Sequence, residues 1–243
     1  MTTQPKPRAT SPLLPERFVV AVDVVVLTLV EDQLHTLLIR RDAAPFKGHW
    51  MLPGGVVQPQ ESLAKTAERI LLEKAGLSGV YLEQLYTYSE PDRDPRDRAI
   101  SVAHMALVNH ERFLKLQPHG HETTVARLAI PWEGEQGGPV VACTSNNTAL
   151  SLAFDHADML GLAVKRMRGK LDYTPVGYQL LPTAFTLSQL QRVHEGILGR
   201  TLNKDSFRRR MLASGELEAT GTSQSEVEHR PAALYHFIER SAV

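Results

Sequence analysis

The sequence predicts an α+β protein in two parts, and three observations carry that expectation. Runs rich in β-branched or alternating apolar residues at 18–29, 34–39, 80–88 and 100–108 flank a helical stretch that opens after Gly55. Near the C-terminus two helical stretches joined by a short turn precede two strand-like runs. Between them, residues 146–162 have helical spacing at Leu150, Phe154, Ala157 and Leu160, and begin the connection. The expected bounds are therefore 17–155 for the first domain and 156–243 for a linker helix and the second. Residues 1–16, with four prolines among Thr and Ser, are expected as a disordered tail.

Residues 18–29 (FVVAVDVVVLTL) are too short and too interrupted by polar groups to span a membrane. Glu31 and Asp32 supply a turn before 34–39 resumes, so the pair reads as a hairpin. Arg40 and Arg41 close its second strand. Pro53 then restricts the backbone, and Gly54 and Gly55 permit angles closed to other residues, bringing the chain close to a ligand. Phe46 and Trp50 offer ring faces to a purine, and core packing accounts equally for Trp50.

The stretch 55–77 has Gly55, Glu61 after five residues, Arg69 after seven more, then Glu73, Gly76 and Leu77. This spacing resembles the Nudix box, G-x5-E-x7-R-E-U-x-E-E-x-G-U with U aliphatic, and the approach from Arg40 through Trp50-Met51-Leu52-Pro53-Gly54-Gly55 resembles the Nudix loop that leads into it. The family pattern clusters three glutamates after the arginine, and this chain has Ile70, Glu73 and Lys74 there. Positions 70, 73 and 74 share one helix face. Magnesium needs hard oxygen ligands on that face, and a lysine repels a divalent ion at short range. The expectation is that no residue is catalytic, no metal is held, and Lys74 attracts a diphosphate instead. The loop 90–98 adds Arg93, Arg96 and Arg98, whose planar donors match phosphate oxygens. Its PDRDPR segment resembles the matching loop of Nudix proteins acting on nucleoside diphosphate sugars, which favours Arg96 and Arg98 over Arg93. Pairing of these arginines with the neighbouring aspartates is an equal alternative.

In the C-terminal part, Thr186 and Gln189 form a capping box before an apolar stripe of Leu187, Leu190, Val193, Ile197 and Leu198, which Gly199 ends. A second helix, 204–214, turns Phe207, Met211 and Leu212 inward, with Arg208 on its flank and Ser206, Arg209, Arg210 and Ala213 facing away. Residues 217–220 and 233–237 pair as a hairpin, completing the order of a winged helix-turn-helix. In such a module the second helix enters the major groove. The DNA-binding candidates are Lys204, Ser206, Arg208, Arg209 and Arg210, with Arg230 at the base of the wing. A solvated charge run is the plainer alternative. The AFDH segment, 153–156, reads as packing and capping.

Formal net charge is zero, with 27 basic and 27 acidic residues, yet residues 164–243 hold 12 Lys and Arg against 8 Asp and Glu. The basic end is thus the polyanion binder. The lone Cys143 excludes an internal disulfide and fits a reducing compartment, and the absence of a leader points to the cytoplasm.

An acid-poor box followed by FTLSQLQ, KDSFRRRM and RPAALYHF resembles the Nudix-related transcriptional regulators of NAD metabolism, the NrtR family, over nearly all the chain beyond the first sixteen residues. The resemblance implies an αβα Nudix sandwich and a winged helix-turn-helix. It further implies a homodimer on double-stranded operator DNA, repression of NAD synthesis or salvage genes, and ADP-ribose as effector with no required cofactor. The effector-binding candidates on this chain are Arg40, Arg41, Phe46, Trp50, Gly54, Gly55, Glu73, Lys74, Arg96 and Arg98. Two alternatives stay open: a magnesium-dependent ADP-ribose pyrophosphatase using Glu61, Glu73 and Glu90 or Glu122, and a non-hydrolytic module whose basic helix meets a protein.

Overall fold

A computed structural model describes residues 17–116, 120–171, 174–224 and 231–238. The expected tail, 1–16, and Arg230 lie outside the described residues. No helix among the described residues is long and apolar enough to cross a membrane.

The first strand, β1 (Val19–Val30), lies inside a mixed sheet because its β-branched side chains are buried on both faces. Glu31 and Asp32 both take positive φ, 49° and 59°, a two-residue turn whose twist suits a hairpin. They join β1 to β2 (Gln33–Arg40), with Val30 opposite Gln33. Short strands β3 (Trp50–Met51) and β4 (Gly54–Val56) pair with β2 and β1. The box helix α1 (Leu63–Ala75) follows, capped by Ser62 and closed by Gly76 at φ 65°. Strands β5 (Tyr81–Tyr88) and β6 (Ala99–Leu107) come next, β6 running parallel to β1. The short helix α2 (His110–Leu114) leads to β7 (Thr123–Ala129) and β8 (Val141–Cys143), giving the order β5-β6-β1-β2-β7-β8.

One face of this sheet, with Val22, Val24, Val26 and Leu37, packs on Ala67, Ile70, Leu71 and Ala75 of α1. The other face, with Val25, Leu27, Leu34, Leu38 and Met105, packs on Met159, Leu160, Ala163, Val164 and Met167 of α3 (His156–Lys170). The result is an αβα sandwich. The expected helix over 146–162 begins only at His156. Before it, Leu150 N bonds Ala142 O, Trp50 N bonds Ser151 O, and Ala153 N bonds Trp50 O, so this segment is an edge of the sheet. Asn147 and Phe154 have φ of 61° and 54°, which a helix does not accept.

After a 3-10 turn (Pro175–Leu180), β9 (Phe185–Thr186) precedes α4 (Leu187–Leu198), where the reciprocal Thr186–Gln189 capping box is present. Helix α5 (Lys204–Ala213) follows, then β10 (Leu217–Ser223) and β11 (Ala233–Phe237), forming a three-stranded sheet ordered β10-β11-β9. Phe207 and Met211 are buried, but Leu212, expected to turn inward with them, is 44% exposed. Leu190, Val193 and Ile197 of α4 join the core cluster that runs through α3 to β1. The two parts therefore share one hydrophobic interior.

The parts pack tightly at Gly196, where an added Cβ would lie 2.5 Å from Leu29 Cδ2 and 2.6 Å from the Asp32 carbonyl oxygen. Gly196→Val should therefore lower stability by about 1–3 kcal/mol through overpacking. Thermal melts should show this as a fall of several degrees, with both parts affected in one transition.

Candidate effector pocket and nucleic-acid interface

Strand β1 places one carboxylate, Asp23, in an otherwise apolar row. Burying a charge is unfavourable unless hydrogen bonds and opposite charges surround it. Ser101 Oγ on β6 donates to Asp23 Oδ2 at 2.6 Å. Arg93 Nη2 lies 3.8 Å from the same oxygen, and His156 Nε2 lies 3.7 Å from Oδ1. Gly54 sits directly against it: a Cβ there would be 2.0 Å from Asp23 Oδ1. The glycine requirement at Gly54 is thus space, since neither Gly54 nor Gly55 takes a positive φ, contrary to the expected backbone reason.

Arg93, the loop arginine the sequence ranked lowest, is the deepest, with a side chain 5% exposed. Its guanidinium donates in bidentate fashion to Asp155, at 2.9 and 2.7 Å. Asp155 holds the N-cap position of α3, but its side chain makes no cap bond because Arg93 takes it. His156 Nδ1 accepts from Leu52 N at 2.9 Å, so its remaining proton sits on Nε2, toward Asp23. Burial pushes the His156 imidazole below its ordinary value, with Asp23 and Asp155 opposing. The segment read as packing and capping therefore belongs to the charged cluster around Asp23.

Phe154, beside this network, is flanked by Arg41 at 4.8 Å and Arg96 at 5.6 Å over its ring. Phe46 meets it edge-on at 4.9 Å, and both aromatics have positive φ, 62° for Phe46 and 54° for Phe154. Strain of about 1–3 kcal/mol per residue is typical of such backbone and clusters at ligand clamps. Arg41 is tethered by its bond to Pro45 O and has its pKa lowered by burial first and by Arg96 second. The Arg96 guanidinium also pairs with Asp94 at 2.6 Å, as the alternative reading of this loop allowed.

Arg40 pairs with Glu122 at 2.9 Å and lies 5.9 Å over Trp50, which packs partly buried against the core. Arg98 lies over Phe18, away from the groups around Phe154. On α1, Arg69 donates to Glu61 at 2.7 and 2.9 Å, to Glu73 at 3.2 Å and to Val56 O at 3.1 Å. Ile70 is fully buried under Gly55. Lys74 is half-buried, donates to Gly54 O and has its pKa lowered by desolvation, with Asp23 acting against that shift. The structure thus brings Arg41, Phe46 and Arg96 together around Phe154, and Gly54 and Lys74 together beside Asp23, while Arg98 and Glu73 stand apart.

At the other end of the molecule, Lys204, Ser206, Arg208, Arg209 and Arg210 are all exposed along α5. The turn before α5 is fixed by α4: Gln191 donates to Leu202 O, and Leu202 N donates to Glu195. His194 on α4 meets Phe207 on α5 edge-on at 5.0 Å. The basic helix is therefore held at a set angle with its cations outward.

The description NUDIX domain matches residues 18–134, and the description NrtR DNA-binding winged helix domain matches 177–237. Over 218 residues, 89% of this chain and 80% of the relative, the sequence is 38% identical to the ADPR responsive transcriptional repressor NtrR of Acinetobacter baylyi. The chain belongs to the NrtR family. The NrtR of Shewanella oneidensis, solved in complex with a 27mer DNA, superposes with a TM-score of 0.71 at 32% identity, covering 90% of this chain and 93% of that one. An ADP-ribose pyrophosphatase of Methanocaldococcus jannaschii is 40% identical over 79 residues, 32% of this chain and 47% of its own length.

Asp23 was not singled out by the sequence of this NrtR-family chain, and Phe154, Asp155 and His156 were read only as packing and capping. The available signal was a single acid inside an apolar β-branched run, which must find partners wherever the strand is buried.

Hydrogen bonds from Arg69 hold the Glu61 carboxyl well below its ordinary 4.5, down to about 2, assisted by Thr66 and opposed by burial. A depressed carboxylate contributes stability above its unfolded value and loses it as pH falls through the folded one. Wild type should therefore exceed Glu61→Gln in stability at pH 7, and that difference should vanish between about 4.5 and 2. Urea unfolding across this window measures it.

Proposed function

We propose that the chain is a DNA-binding transcriptional repressor of NAD biosynthesis or salvage genes whose Nudix domain senses ADP-ribose without hydrolysing it. One observation carries this reading: a box helix with Ile70 and Lys74 on its acid face shares a continuous core with a winged domain whose second helix exposes three consecutive arginines. The DNA complex of the Shewanella relative and the effector named for the Acinetobacter relative support it.

In this reading the adenine and ribose meet Phe46, Trp50 and Arg40, while the diphosphate lies among Gly54, Gly55, Lys74, Arg41 and Arg96. Lys204 and Ser206 hold phosphates, and Arg208, Arg209 and Arg210 reach base edges, with Arg230 near the backbone. The domain bounds are 17–155 and 156–243. A homodimer in the cytoplasm sets two such helices on the half-sites of a palindromic operator.

A ligand shifts DNA affinity only by binding one conformation better than another. Helix α3 supplies the route, since its fifteen residues span about 22 Å. Its N-terminus is clamped beside the pocket by Arg93–Asp155 and Leu52–His156. Toward its other end, Arg168 donates to Ile197 O of α4 at 2.8 Å and to Gly134 O at 2.9 Å. A diphosphate competing with Asp155 for Arg93 loosens the first clamp and displaces the winged domain. Asp155→Asn is expected to retain ADP-ribose binding while its operator affinity responds to ADP-ribose several-fold less than wild type; fluorescence anisotropy with labelled operator measures both.

The magnesium-dependent pyrophosphatase is the second reading, favoured by the 79-residue likeness to the Methanocaldococcus enzyme. Of the acids it would draw on, Glu61 and Glu73 are engaged by Arg69 and Glu122 by Arg40, while Glu90 forms no ion pair among the described residues. Gel shifts on DNA upstream of NAD-synthesis genes decide between them. The expected result is specific binding released by ADP-ribose, an Arg209→Ala loss of about 1–3 kcal/mol on the specific site, and no AMP from ADP-ribose with magnesium. Binding that ignores millimolar ADP-ribose, or rapid AMP release, overturns the proposal.

A further inference from the structure

The residues on the box face do not fit a magnesium ion. Magnesium asks for near-octahedral oxygen ligands, and here the face offers the buried Ile70 hydrocarbon and the Lys74 ammonium. Glu61 and Glu73 are both engaged by Arg69. Among the described residues no cluster of three or more His, Cys, Asp and Glu side chains is placed to hold a metal ion.

The same place already holds a positive charge. Lys74 Nζ donates to the Gly54 carbonyl, on the loop that opens the box, and is drawn half out of water. Among the described residues no carboxylate lies within 4.0 Å of it. The nearest acid of the interior, Asp23, accepts from Ser101 and has Arg93 and His156 close by. A desolvated ammonium that donates to a carbonyl is stabilised by any anion that completes its hydrogen bonds. It has three donors, and the Gly54 carbonyl takes one.

We propose that Lys74 is a built-in replacement for the divalent cation, tethered by Gly54 so that its two remaining N–H groups take the diphosphate of the effector without any metal. The proposal rests on the ADP-ribose reading above and adds the identity of the charge that neutralises the diphosphate. An ammonium supplies charge and donors but has no vacant coordination position, so the contact that holds the diphosphate leaves its bonds intact. The bond to Gly54 O also sets where that charge sits, as a ligand shell would set an ion.

Isothermal titration of ADP-ribose into the full-length protein, in EDTA and again with added magnesium, tests this. Wild type should bind with the same Kd in both buffers, within about twofold, and Lys74→Met should bind at least about tenfold more weakly in both. Lys65→Met, on the exposed side of the same helix, should bind as wild type does. Wild-type binding that appears only with magnesium, or a folded Lys74→Met that binds as tightly as wild type, overturns the role of Lys74 and leaves the ADP-ribose reading standing. Wild type that binds ADP-ribose in neither buffer removes both. The wild-type comparison decides the metal requirement even where Lys74→Met fails to fold.

Discussion

A single buried carboxylate organises the effector half of this molecule. Asp23 interrupts an apolar strand at the centre of the sheet, and the groups around it are those that make a charge tolerable there: a hydroxyl from β6, a guanidinium from the arginine loop and an imidazole from the start of α3. Because these come from three separate elements, the carboxylate fixes their mutual positions. The missing Cβ at Gly54 follows from the same constraint, since the loop before the box must pass within contact distance of Asp23.

That organisation extends outward through α3. Its first residues answer to the charged cluster and its last to the winged domain, while its buried side packs on the sheet between them. Glu83 on β5 accepts from both Arg166 and Lys170, one turn apart, so the far end of the helix is also tied to the sheet. Helix α3 is thus held at both ends rather than joined to its neighbours by a free linker. The shared hydrophobic interior makes the arrangement one cooperative body rather than two beads.

Much of this was legible from residue order. The hairpin at Glu31-Asp32, the Ser62 and Gly76 limits of the box helix, the Thr186–Gln189 capping box and the αα-hairpin that follows are local features, and local chemistry dictates them. Residues 149–153 were misread because apolar spacing at Leu150 and Phe154 also suits an edge segment alternating between core and pocket, and positive φ at Asn147 and Phe154 has no signature in composition. The strands β7 and β8 were missed because long-range pairing with β2, rather than their own alternation, defines them. At the site, side chains named by motif were found readily. Those that matter through burial, Asp23, Arg93 and Asp155, emerged only when the sheet brought distant segments together.

Arg168 gives the junction between the halves an unusual character. Its guanidinium is buried, rests 4.8 Å over Trp132, and donates to carbonyl oxygens of Ile197, Gly134 and Trp132. Carbonyls do not titrate, and a guanidinium stays charged throughout the physiological range even though burial lowers its pKa. This contact is consequently insensitive to acidity and poorly screened by electrolyte. Prising the halves apart at this point therefore means pulling a guanidinium from carbonyl oxygens and an indole face rather than neutralising a charge.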